Sequence, residues 1–76
     1  MYENLKAEMA RQNKNLVDIA NETGLKYQTL REKISGNSHF VLWEIMLIKN
    51  SLGVDMPIEE LFANYKVGKN DEPNTN

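Results

Sequence analysis

The chain has 76 residues, no cysteine, a single histidine and a formal net charge of −2. That describes one small domain near the lower size limit for unaided folding, with no disulfide or thiolate metal site to support it. His39 alone leaves little for a metal cluster or histidine-based catalysis, and no apolar run reaches the roughly 20 residues a membrane-spanning helix needs.

The opening "MYENLKAEMARQ" lacks a basic segment followed by an apolar one, so no signal peptide is expected and the chain reads as cytoplasmic. Its charge is uneven. Residues 1–39 carry six basic side chains against five acidic, and residues 40–76 carry three against six. A duplex-DNA binder needs a basic face, and any such face must lie in the first half.

"ENLKAEMARQN" sets Leu5 and Met9 four apart among good helix formers and reads as helix 1, broken by "NKN". Asn15 is the expected N-cap of helix 2, with Asp18 in the capping-box position. Helix 2 runs from Leu16 to about Thr23, with Leu16, Ile19, Ala20 and Thr23 on one face, and Gly24 follows where a left-handed turn ends a helix. Helix 3 covers about 26–35, its inner side carrying Leu30 and Ile34. Tyr27 sits at the edge of that stripe, and Gln28, Arg31, Glu32 and Ser35 point outward. Helix 4 spans about Leu42 to Leu52 and stops at Gly53. "VDMPIEELFANY" forms the last helix, with Pro57 in its first turn, Glu59 and Glu60 near its positive end, and Ile58, Leu61 and Phe62 facing inward. The expected domain is 1–65, followed by a polar, disordered tail over 66–76.

Helix, glycine-containing turn, helix is the spacing of a helix-turn-helix. In "IANETGLKYQTLREKISG" an apolar residue and an alanine (Ile19, Ala20) allow two helices to cross closely. Gly24 supplies the turn, Leu25 plugs it and Leu30 packs helix 3 onto helix 2. With "LREKISGNSHF" and "NSLGV" in place, the chain resembles the small phage repressor and Cro-type helix-turn-helix proteins over roughly residues 4–65. It looks particularly like the short Gram-positive phage and prophage versions of these regulators. The resemblance implies an all-α, five-helix domain whose third helix enters the major groove of operator DNA, often as a dimer.

Carried over by position, the resemblance implies groove-facing roles for Lys26, Tyr27, Gln28, Arg31 and Glu32. Gln28 would read adenine, and Arg31 guanine or a phosphate. Lys14 and Asn15 at the start of helix 2, and Asn37, Ser38 and His39 after helix 3, match phosphate-facing positions. As bland alternatives, Arg31 and Glu32 are solvated charges, Tyr27 a core-edge aromatic and His39 a surface loop histidine.

Three features depart from the family. Leu16 replaces the glutamine that commonly opens helix 2, and Val41 replaces a threonine N-cap before helix 4, a loss of about 1 kcal/mol. In helix 4 itself, Val41, Leu42, Ile45, Ile48 and Leu52 form one expected core arc. Trp43, Met46 and Leu47, with Asn50, form a second apolar stripe nearly opposite. Such a stripe is a protein-contact patch unless loop or tail residues cover it.

Two functions are therefore expected. The first is a transcriptional regulator that binds double-stranded operator DNA as a homodimer. The second is an antirepressor or modulator that docks on a protein such as a phage repressor through Trp43, Met46 and Leu47, joined by Leu16 and Val17. No cofactor, metal, small-molecule substrate, membrane contact or enzymatic activity is expected.

Overall fold

The computed structural model describes residues 1–63, and these form five helices joined by short turns. They are α1 (Glu3–Arg11), α2 (Leu16–Thr23), α3 (Tyr27–Ile34), α4 (Leu42–Leu52) and α5 (Ile58–Leu61). The fold is all-α; among the described residues there is no strand. The expected tail over 66–76, and the last two residues of the expected domain, lie outside the described residues.

Local chemistry sets the helix ends. Asn13 takes a left-handed conformation (φ 58°) after α1, one that asparagine tolerates better than most residues. Asn15 and Asp18 then form a reciprocal capping box: the Asn15 side chain accepts from the Asp18 N–H at 3.0 Å, and Asp18 accepts from the Asn15 N–H at 2.9 Å. Gly24 ends α2 at φ 82°, a backbone a β-carbon would strain although the surrounding space is open. Gly36 (φ 95°) closes α3, and a β-carbon there would also collide with the Met1 thioether.

The helices meet around Leu5, Met9, Ile19, Leu30, Ile34, Ile48, Leu52 and Leu61, all buried. Burying each such side chain stabilises the fold by about 1.5–3 kcal/mol. α2 packs against both α3 and α4, while α5 bridges α4 and α1. Tyr2, Phe40 and Phe62 close one end with edge-to-face rings 5.2–6.2 Å apart, each such pair adding about 0.5–1.5 kcal/mol. Side-chain amides tie helix ends together: Gln12 Nε2 donates to the Leu52 carbonyl at 2.7 Å and Asn4 Nδ2 to the Glu60 carbonyl at 2.8 Å.

α4 sits in a different register from the one its apolar pattern implied. Val41 and Leu42 are not core residues: Leu42 is 60% exposed and Val41 is also exposed. The inward arc runs through Glu44, Ile48 and Leu52, with Ile45 half-buried beside it. Leu42 stands six residues before Ile48, which at about 100° per residue places it roughly 120° round the helix from the core. Glu44 takes the inward place because it has a partner there. Lys33 Nζ donates to Glu44 Oε1 at 2.6 Å, and the same oxygen accepts from the Val41 N–H at 3.1 Å. Valine has no side-chain acceptor for the Glu44 N–H, so only the other half of a capping box is made, the Glu44 carboxylate reaching back to the Val41 N–H.

Glu44 is 5% exposed. Burial pushes its pKa up, but the hydrogen bonds from Lys33 and the Val41 N–H, with the charge on Lys33, leave it below the ordinary carboxylate value. A depressed folded-state pKa contributes stability that is present above about pH 4.5, the ordinary value. That contribution is lost as pH falls through the lower folded value. Glu44→Gln is expected to lower stability by about 3 kcal/mol at neutral pH, since it leaves Lys33 without its counter-charge. Urea titrations at stepwise lower pH should show the gap from wild type narrowing below pH 4.5.

Candidate functional site

α3 has two sides with opposite tasks. Leu30 and Ile34 anchor it to the core, and Lys33 reaches back to Glu44 on α4. That leaves Lys26, Tyr27, Gln28, Arg31, Glu32 and Ser35 exposed on the outer side, since residues three and four apart share a helix face. Gln28, Arg31, Glu32, Ser35 and Asn37 together line a surface depression of about 400 Å³. Within it Gln28 Nε2 donates to Glu32 Oε2 at 3.3 Å, and the Ser35 hydroxyl donates to the Glu32 carbonyl at 2.9 Å.

The charges divide sharply between internal and free. Lys33 is paired with Glu44, and Arg11 with the buried Glu8 one turn earlier in α1. Among the described residues Lys26 and Arg31 form no ion pair. Lys14, expected to face a phosphate, turns inward instead. Its ammonium donates to Glu22 Oε1 at 2.8 Å and to the Ser51 carbonyl at 3.0 Å. Ser51 adds a 2.5 Å hydrogen bond to the same Glu22 oxygen, and these contacts hold the Glu22 carboxyl below its ordinary pKa. Lys14 therefore braces α2 against the end of α4. Asn15 is exposed, but its side-chain oxygen is engaged in the capping box. Asn37, Ser38 and His39 are exposed in the turn after α3.

A second surface lies on α4. Leu42, Trp43 and Met46 are 60%, 59% and 52% exposed, and Val41 precedes them, also exposed. Leu47, expected in this stripe, is half-buried. Leu16 is half-buried against the core, while Val17 on the next position is exposed. The patch therefore comprises Val41, Leu42, Trp43 and Met46. Val41 and Leu42 were missed because four successive apolar residues fit a core arc as well as a surface. Glu44, spaced i, i+4, i+8 with Ile48 and Leu52, marks the true inward direction once Lys33 is recognised as its partner.

The arrangement offers two kinds of chemistry: a polar helix face with free cations and amides, and an apolar patch with a tryptophan. Among the described residues no helix is long and apolar enough to cross a membrane. Comparison with protein-family models, with curated proteins and with solved structures finds no match for this chain.

Because Trp43 stands clear of the core, Trp43→Ala should change unfolding free energy by less than about 0.5 kcal/mol. Ile48→Ala, which opens a cavity, should cost about 2–5 kcal/mol. Chemical denaturation of the two variants side by side checks both. A large loss in Trp43→Ala would mean that the tryptophan is covered.

Proposed function

We propose that the chain is a small DNA-binding regulator of the repressor and Cro type, with α2 and α3 as a helix-turn-helix and α3 as the element that enters the major groove. One observation carries this reading. Of the six cations in the first half of the chain, Arg11, Lys14 and Lys33 are paired internally; of the three described without an ion pair, Lys6 stands on α1, while Lys26 and Arg31 stand at the start and on the outer face of α3. An acidic chain thus keeps unpaired positive charge beside exposed Tyr27 and Gln28. A guanidinium and an amide on one helix face are the groups that read guanine and adenine edges, and a lysine at the helix start suits a phosphate. The exposed turn with Asn37 and Ser38 offers further backbone contacts. Lys14 has no part in this version of the interface, and Asn15 takes part only through groups its cap leaves free.

The exposed apolar residues of α4 support a protein contact as well. Tryptophan and methionine are enriched in interface cores, and burying Leu42, Trp43 and Met46 would contribute several kcal/mol at about 25 cal/mol per Å². In the DNA-binding reading this patch joins two copies on a palindromic site. The same patch supports a second reading, in which the chain is an antirepressor or modulator that docks on a partner such as a phage repressor. On either reading the chain acts by binding and not as an enzyme, in the cytoplasm of a bacterial host.

Fluorescence anisotropy with duplex DNA from upstream of the gene, at 50 and 200 mM salt, tests the first reading. Binding tighter than about 10⁻⁶ M that weakens with salt is expected, and Arg31→Ala should weaken it by roughly 5- to 150-fold. Absence of binding at low salt would remove this reading and leave the α4 partner as the function.

A further inference from the structure

The depression on α3 contains a group that a surface made only to grip phosphates would lack. Glu32 follows Arg31 directly and stands one turn beyond Gln28, whose amide holds its carboxylate at 3.3 Å. Among the described residues no lysine or arginine pairs with Glu32. The lining therefore combines one guanidinium, one carboxylate and three neutral hydrogen-bonding side chains: Gln28, Ser35 and Asn37. To a phosphate this offers less than a wholly cationic face would, since the carboxylate repels what the guanidinium attracts.

What such a lining complements is an uncharged planar edge presenting acceptors next to a donor. In the major groove guanine presents two acceptors, thymine an acceptor and a methyl group, adenine an acceptor beside an amino donor, and cytosine an amino donor alone. An ionised carboxylate only accepts, so guanine and thymine repel it. Adenine places an acceptor beside its amino group, and an amide satisfies that pair better than a carboxylate does. Cytosine is left as the base that fits.

Resting on the DNA-binding reading of α3, we infer that Glu32 is a specificity-determining residue. It accepts a hydrogen bond from a cytosine amino group beside a guanine held by Arg31, and Gln28 holds its carboxylate in position. Glu32 lowers general affinity for DNA through charge repulsion while raising discrimination at one base.

Those opposed effects make the test decisive. The full chain and its Glu32→Gln variant are each used to select from duplexes with a randomised central segment, and the bound fractions are sequenced. Wild type should enrich a C·G pair at one position of the site. Glu32→Gln should lose that preference by about tenfold, the scale of one base contact, while binding non-cognate duplex more tightly and leaving other positions unchanged. A uniform gain in affinity with no change at any position would overturn the role of Glu32 and leave the DNA-binding reading standing. The same holds if the position that changes prefers an A·T pair. If wild type enriches nothing and shows no salt-dependent binding, both fall together.

Discussion

The pair between Lys33 and Glu44 governs where α3 sits, and the two exposed surfaces follow from that placement. α3 has only eight residues and two buried apolar anchors, Leu30 and Ile34, too few to fix its rotation by hydrophobic contact alone. A charged hydrogen bond of 2.6 Å to α4 adds direction, because an ammonium and a carboxylate sharing a desolvated site lose several kcal/mol if either moves away. With Lys33 pulled inward, Gln28, Arg31, Glu32 and Ser35 are carried outward together. On α4 the same bond turns Glu44 into the core side and so rotates Leu42, Trp43 and Met46 out of it. One interaction thereby sets both faces.

A second consequence concerns charge. The chain is acidic overall, which argues against a nucleic-acid partner if net charge is read alone. Ion pairing changes that picture locally. Three of the cations that dilute the negative charge are consumed as internal braces, and of the four described without an ion pair, Lys6, Lys26, Arg31 and Lys49, two stand together at the start and on the outer side of α3. Lys14 illustrates the trade. By holding Glu22 and the Ser51 carbonyl it fixes α2 to the end of α4, and its charge is thereby withheld from any phosphate. On the proposed reading, affinity rests on few contacts and selectivity on the outer side chains of α3.

The helices were largely legible from local signals. The bounds of α2 and α4 follow from Asn15, Gly24 and Gly53, because caps and left-handed glycines act within a few residues of themselves. The inward residues of α3 follow from the four-residue spacing of Leu30 and Ile34. What could not be read locally is what depends on partners far along the chain. The register of α4 was misjudged at Val41 and Leu42 because apolar residues occupy nearly every side of its first turns. The inward side is that of Ile48 and Leu52, and Glu44 joins it because Lys33, eleven residues earlier, meets it there. The fate of Lys14 was hidden for the same reason, since Glu22 and Ser51 become its neighbours only after α2 and α4 pack. The outer face of α3 was legible because none of its side chains is recruited by the core.

Chemical-shift mapping by ¹H–¹⁵N NMR during titration of the full chain with duplex DNA tests the central claim most directly, because it separates the two surfaces in one experiment. The account predicts that the largest shifts fall on Lys26–Glu32 and on Ser35 to Ser38, with Lys14 little affected. Shifts confined to Leu42, Trp43 and Met46, or no shifts at low salt, would contradict it.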